Sequence, residues 1–157
     1  MARPRSGAVK SETDATVVIH RAFILMPIAY QRDDQRRLIT VTVTGSCSAD
    51  DVSGVIDRQA DEDTWEYALL YDLRAMTAES IEADLQQIAE RVRVVGGGRE
   101  RGPVGIAIRA SPALFLQGLL YATLTKELVD IEVLLTPEQI DSWLVRNAAR
   151  SRSRNPT

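Results

Sequence analysis

One cysteine, one histidine and 5% aromatic residues leave this 157-residue chain little material for several kinds of chemistry. Cys47 has no second cysteine to pair with inside the chain. With His20 the only histidine, there is no Cys/His set of the kind that holds zinc or an iron–sulfur centre, and no cofactor is expected. A lone thiol fits a reducing cytoplasm. So few rings also remove the stacking platforms on which single-stranded nucleic acid is held, which argues against nucleic acid as a partner. Long apolar runs are missing too. Ala22 to Tyr30 is short and holds Pro27, so it cannot span a bilayer. Val17–Val18–Ile19 runs straight into His20 and Arg21 and lacks the uninterrupted apolar centre of an export signal.

What is present is the composition of one globular domain, 45% hydrophobic and 26% charged, with a core to be built from Val, Ile, Leu and Ala. The formal charge of −3 is unevenly spread. Residues 1–25 and 147–157 are net basic. Residues 26–146 keep 12 of the 19 Lys and Arg and 20 of the 22 Asp and Glu, a net −8 that favours solubility and repels phosphate backbones and anionic membranes. Arg150, Arg152 and Arg154 among Ser, Asn and Pro read as a solvated basic tail over 147–157.

Residues 1–15 are polar and carry no period, so 1–25 is expected to be disordered or an additional N-terminal segment. Thr16 to Leu25 could add an edge strand or lie upstream of a start at Met26. Ile28 to Arg32, the polar turn Asp33–Asp34–Gln35 and the alternating run Leu38 to Thr44 read as a β-hairpin, with Ile39, Val41 and Val43 on one face. Ser48 and Asp51 mark a helix start, and Val52, Val55, Ile56 and the stem of Gln59 form that helix's stripe. Tyr67 to Leu73 is nearly continuous apolar sequence, as in a parallel strand buried on both faces. Thr77 then reads as the cap of a long helix whose stripe is Ile81, Leu85, Ile88, Val92 and Val95.

Gly96–Gly97–Gly98 closes that helix. The loop onward, with Arg99 and Arg101, lacks the ending of a phosphate loop and reads as a flexible connection. Val104, Ile106 and Ile108 alternate with Gly105 and Ala107 as a strand whose small residues admit a closely packed helix. Ser111–Pro112 starts a helix with Phe115, Leu116, Leu119, Leu120 and Leu124. Ile131 to Leu135 is a last strand, and Thr136–Pro137–Glu138 opens a helix with Ile140, Trp143 and Leu144. Strands joined by single helices pair in parallel through right-handed crossovers. The expected fold is therefore α/β: a mostly parallel five-stranded sheet with an antiparallel first hairpin, covered by four helices.

In such a sheet ligands gather where the parallel strands end. The loops there hold Ser48, Asp72, Arg74, Thr77 and Ser111, with several helix N-termini and their free N–H groups, which makes an anion site conceivable. Capping alone also explains Ser48, Thr77 and Ser111. Asp72 and Arg74, two apart at a strand end, read as a surface ion pair in preference to a hook for a ligand. Cys47 reads as a small turn residue in preference to a reactive thiol at a helix start. No paired carboxylates are poised for acid–base work, and His20 has no nucleophile in a recognisable elbow, so no catalytic residue is assigned.

Together, the element order, the segment Leu70–Tyr71–Asp72–Leu73–Arg74–Ala75–Met76–Thr77 and the helix start Ser111–Pro112–Ala113–Leu114–Phe115 resemble the STAS domains of anti-sigma-factor antagonists. The likeness is closer to the bacterial STAS/SEC14-like proteins and spans residues 26–146. It implies a non-enzymatic regulatory or protein-interaction module acting through the edge near Thr77 and Ser80, and a homodimer is compatible with it. In the antagonists a serine after the central strand is phosphorylated. Here the aligned stretch reads Glu79–Ser80–Ile81–Glu82, which shifts Ser80 by one position and removes the family's glycine. The SEC14 side of the resemblance implies the alternative, a small-molecule or lipid-like ligand-binding module.

Overall fold

The computed structural model describes residues 28–77 and 84–153. Five strands form one sheet: β1 (Ile28–Asp33), β2 (Leu38–Val43), β3 (Ala68–Asp72), β4 (Val104–Ala107) and β5 (Ile131–Leu134). They lie side by side in sequence order, with β1 antiparallel to β2 and every later pair parallel. This is the architecture the alternation and apolar runs imply. Four helices complete it: α1 (Ala49–Asp61), α2 (Leu85–Gly96), α3 (Pro112–Thr125) and α4 (Pro137–Ser153).

Consecutive right-handed crossovers that each advance one strand in the same direction put their helices on the same face. Accordingly α1, α2 and α3 form one layer. Beneath it Ile39, Val41, Val43, Leu69, Tyr71, Val104 and Ile106 make the main core with Val55, Ile56, Ile88, Val92 and Leu114. The opposite face is smaller. Ala68, Leu70, Ala107 and Leu134 are covered there by Ile140 and Trp143 of α4. Gly105 makes that packing possible: a Cβ on it would lie 2.9 Å from Trp143 Cε2 and 3.1 Å from Leu134 Cδ1.

The helix ends follow local chemistry. Ser48 and Asp51 form a full capping box, with Ser48 Oγ accepting from Asp51 N at 3.2 Å and Asp51 Oδ2 accepting from Ser48 N at 2.8 Å. Ser111 caps α3 with Pro112 in the first turn, and Thr136 Oγ1 accepts from Gln139 N at the start of α4. Gly97, at φ 55°, ends α2 in the left-handed conformation.

Two expected boundaries move. Thr77 does not cap α2. The cap is Asp84, whose extended backbone lets its carboxylate accept from Gln86 N at 3.0 Å and Gln87 N at 3.3 Å, while the Thr77 N–H donates to Gly45 O at 2.9 Å and prolongs the sheet edge. Ile81 and Ser80 lie outside the described residues, as do 1–25. The expected basic tail does not begin at residue 147 either, since α4 continues to Ser153. Asn147 is buried, with Nδ2 donating to Trp143 O one turn earlier at 2.8 Å, and Arg146 forks onto Glu132, so α4 is held against the domain as far as Asn147.

Candidate functional site

The parallel strands end along one edge, and the residues singled out there are brought together mostly to satisfy one another. Gly45 and Met76 form a bridge that ties the β2 and β3 exits, and Arg109 donates from Nη1 to Met76 O, adding the β4 exit. Ser48 and Ser111 spend their hydroxyls on helix caps. Asp72 and Arg74 make a two-pronged pair, Nη2 to Oδ2 at 2.8 Å and Nε to Oδ1 at 2.9 Å, with the Arg74 backbone N–H also donating to Oδ1 at 3.1 Å. That pairing with Arg74 outweighs partial burial and holds the Asp72 carboxyl below its ordinary range. Thr77 stands exposed beside them. Among the described residues no group of three or more His, Cys, Asp and Glu could hold a metal ion, and no helix is long and apolar enough to cross a membrane.

Immediately under this edge, between the sheet and α1 to α3, lies a cavity of about 50 Å³. Val52, Leu73, Leu85, Ile88, Ile106 and Leu114 give it apolar walls, and Cys47, Tyr71 and Tyr121 also line it. Burial, reinforced by the Asp51 charge, pushes the Cys47 thiol up to about 11, the reverse of a reactive helix-start thiolate. Desolvation raises both phenols as well, opposed in each by the positive charge of Arg101.

Arg101 was read from sequence as part of a flexible glycine-rich loop. It is instead 5% exposed. Its Nη2 donates to Gln59 Oε1 at 2.6 Å, and its guanidinium sits 5.0 Å from the Trp65 ring centroid. Arg101 Nε, Gln59 Nε2 and the Tyr71 hydroxyl are buried without a hydrogen-bond partner. No carboxylate among the described residues lies within ion-pair distance of Arg101. The one legible sign was Gln59, a polar residue at an apolar-stripe position, whose amide had to meet another polar group inside.

The second feature missing from the sequence reading is on α3. Its inward residues are Leu114, Gly118, Tyr121 and Thr125, and Phe115 and Leu124 pack partly on the core. Leu116, Leu119 and Leu120 point outward at 65%, 43% and 52% exposure. The helix carries no charge over its 14 residues and is apolar on both sides.

No family model matches the chain, and no curated protein is similar to it at a significant level. Among solved structures, it is similar to a Thermotoga maritima protein assigned as an anti-sigma factor antagonist. The alignment covers 73% of this chain and 92% of that one at 10% identity, with a TM-score of 0.41.

Proposed function

We propose that this domain is a non-enzymatic regulatory module that binds a protein partner in the cytoplasm through the outer face of α3, with the segment from Thr77 to Ser80, of which only Thr77 is among the described residues, as a regulatory element. The observation that carries this reading is the exposure of Leu116, Leu119 and Leu120 on one uncharged helix face. A helix that is apolar all round is normally covered on all sides, and a contiguous exposed apolar patch marks an interaction surface. The order of the elements and the Asp72–Arg74–Thr77 segment, which resemble the antagonists' STAS domains, support the same reading. Phosphorylation at Thr77 or Ser80 would add negative charge to that segment, the kind of change that switches a regulatory module's contacts.

The test is cross-linking mass spectrometry on tagged protein purified from its own cells, beside the Leu116→Glu/Leu120→Glu double variant. Cross-links that reach residues 112–125 and disappear in the double variant are expected. Identical cross-links in both proteins, or none to α3 or to the edge, would overturn the assignment.

A second reading has its own observation. The apolar cavity beneath the edge, with two tyrosines in its wall, fits a small ligand. Such binding is compatible with a module that also meets a protein.

A further inference from the structure

We infer that the partner covering the outer face of α3 is a second copy of this chain, packed helix against helix and antiparallel about a two-fold axis between Leu119 and Leu120. The inference rests on the reading of that face as an interaction surface and names its occupant.

A two-fold contact requires a surface complementary to its own reverse. Along the outside of α3, Pro112, Leu116, Leu119, Leu120 and Thr123 are all exposed and recur at steps of three and four, and Glu127 follows in the same line just past the helix. Reversing this stripe about its middle sets Leu119 against Leu120 of the second copy and Leu116 against Thr123. Thr123 is the one polar member between the ends, and its hydroxyl donates to Leu119 O of its own helix at 2.8 Å. With the hydroxyl turned back in this way, its methyl group is what a neighbour meets. The stripe therefore leaves no polar group for a partner to satisfy.

The ends of the stripe favour a second copy over an unrelated protein. The first turn of α3 holds no acidic residue and its last turn no basic one. The acid that follows in sequence, Glu127, stands exposed at the carboxyl end, the wrong end for its own helix dipole. Antiparallel packing carries each Glu127 to the amino end of the other α3, beside Pro112, where unpaired N–H groups favour an anion. Residues 26–146 carry a net −8, yet α3 is uncharged over its 14 residues, so two such acidic domains can meet there without like charges in contact. Three exposed leucines on one helix cover less than the ~800 Å² per partner of a standard interface, which makes the dimer weak, with a Kd of about 10–100 μM.

The experiment is sedimentation equilibrium of the full chain from about 1 μM to about 1 mM, beside the Leu116→Glu/Leu120→Glu double variant and Glu127→Lys, with circular dichroism to establish that each variant is folded. Expected are a reversible monomer–dimer equilibrium in the unmodified chain, association weakened about tenfold or more in the double variant, and association weakened about threefold in Glu127→Lys, which sets a cation against the other helix's amino end. Single cysteines supply a second arm that adds no charge. Leu120→Cys should oxidise to a covalent dimer through the new thiol, while Val94→Cys, 62% exposed on α2, should not. A monomer throughout that range would overturn the second copy and leave the α3 face to a different protein, which the cross-linking in cells decides separately. An equally strong dimer in the folded double variant would place the contact elsewhere and overturn the inference. Dimerisation unaltered by Glu127→Lys, or equal oxidation of Val94→Cys and Leu120→Cys, would overturn the antiparallel arrangement.

Discussion

Asp72 and Arg74 close on each other across a single residue, guanidinium to carboxylate in parallel at 2.8 and 2.9 Å, so the most conspicuous charged pair of the carboxyl edge is already occupied. The pair is partly solvated, which limits its worth to about 1 kcal/mol or less. Its sign with pH is fixed. Asp72 has a folded-state pKa depressed below the ordinary 3.8, so its contribution is complete above that value and is lost as pH falls through the lower folded value. Carboxyl-carbon NMR should therefore show Asp72 titrating below 3.8, and Arg74→Gln should return it toward the ordinary value. Titration at or above 3.8 in the unmodified protein would mean that the pair does not persist in solution.

The start of α2 gives a sharper mutational contrast. Asp84→Ala removes a carboxylate that accepts two backbone N–H groups and should cost about 1 kcal/mol in urea unfolding. Thr77→Ala, at the position the sequence suggests as the cap, should cost much less, because only its backbone is engaged.

Gly105 is the contact point between β4 and α4. Gly105→Ala would drive a methyl group into Trp143 and Leu134 and is expected to destabilise by about 1–3 kcal/mol, with a change in tryptophan emission if α4 lifts. Trp143→Ala should cost about 3–5 kcal/mol, since the ring is 2% exposed.

Ending the chain after Arg146 tests where the domain stops. The truncation removes buried Asn147 and the last turns of α4, and a loss of about 1–3 kcal/mol is expected by chemical denaturation. Stability equal to that of the full chain would show that residues 147–153 add nothing.

Cys47, 3% exposed and with its thiol pushed up to about 11, should react with a disulfide reagent at pH 8 far more slowly than a free thiol. Full reactivity should appear only under denaturant, so the rate reports opening of the cavity wall.

The fold was legible because its signals are local and repeated. Strict alternation in Ile39–Thr40–Val41–Thr42–Val43 fixes which face is buried, and Ser48, Ser111–Pro112 and Thr136–Pro137 each announce a helix by an unsatisfied-donor argument that needs no tertiary information. The α2 start was misplaced for the same reason. Thr77 and Asp84 are both competent caps, and only the tie between Thr77 and Gly45 decides between them. The site was largely illegible. Arg101 follows a glycine run, a context that reads as solvated, and its burial depends on Gln59, Trp65 and Tyr71, which stand 42, 36 and 30 positions earlier. On α3 leucines occur on both sides, so periodicity could not say which of them would face outward.

The sequence-ordered sheet also governs how the domain is put together in time. Every strand pairs with its immediate predecessor, so closure entropy is met in small instalments and the sheet can grow from β1 toward β5 as the chain emerges. The face beneath α4 is the exception. Ala68, Leu70 and Ala107 are laid down early but receive Trp143 only when the last helix arrives. During synthesis that half of the sheet is an exposed adhesive surface, and it is the stage at which a nascent chain is most exposed to aggregation or capture by a chaperone.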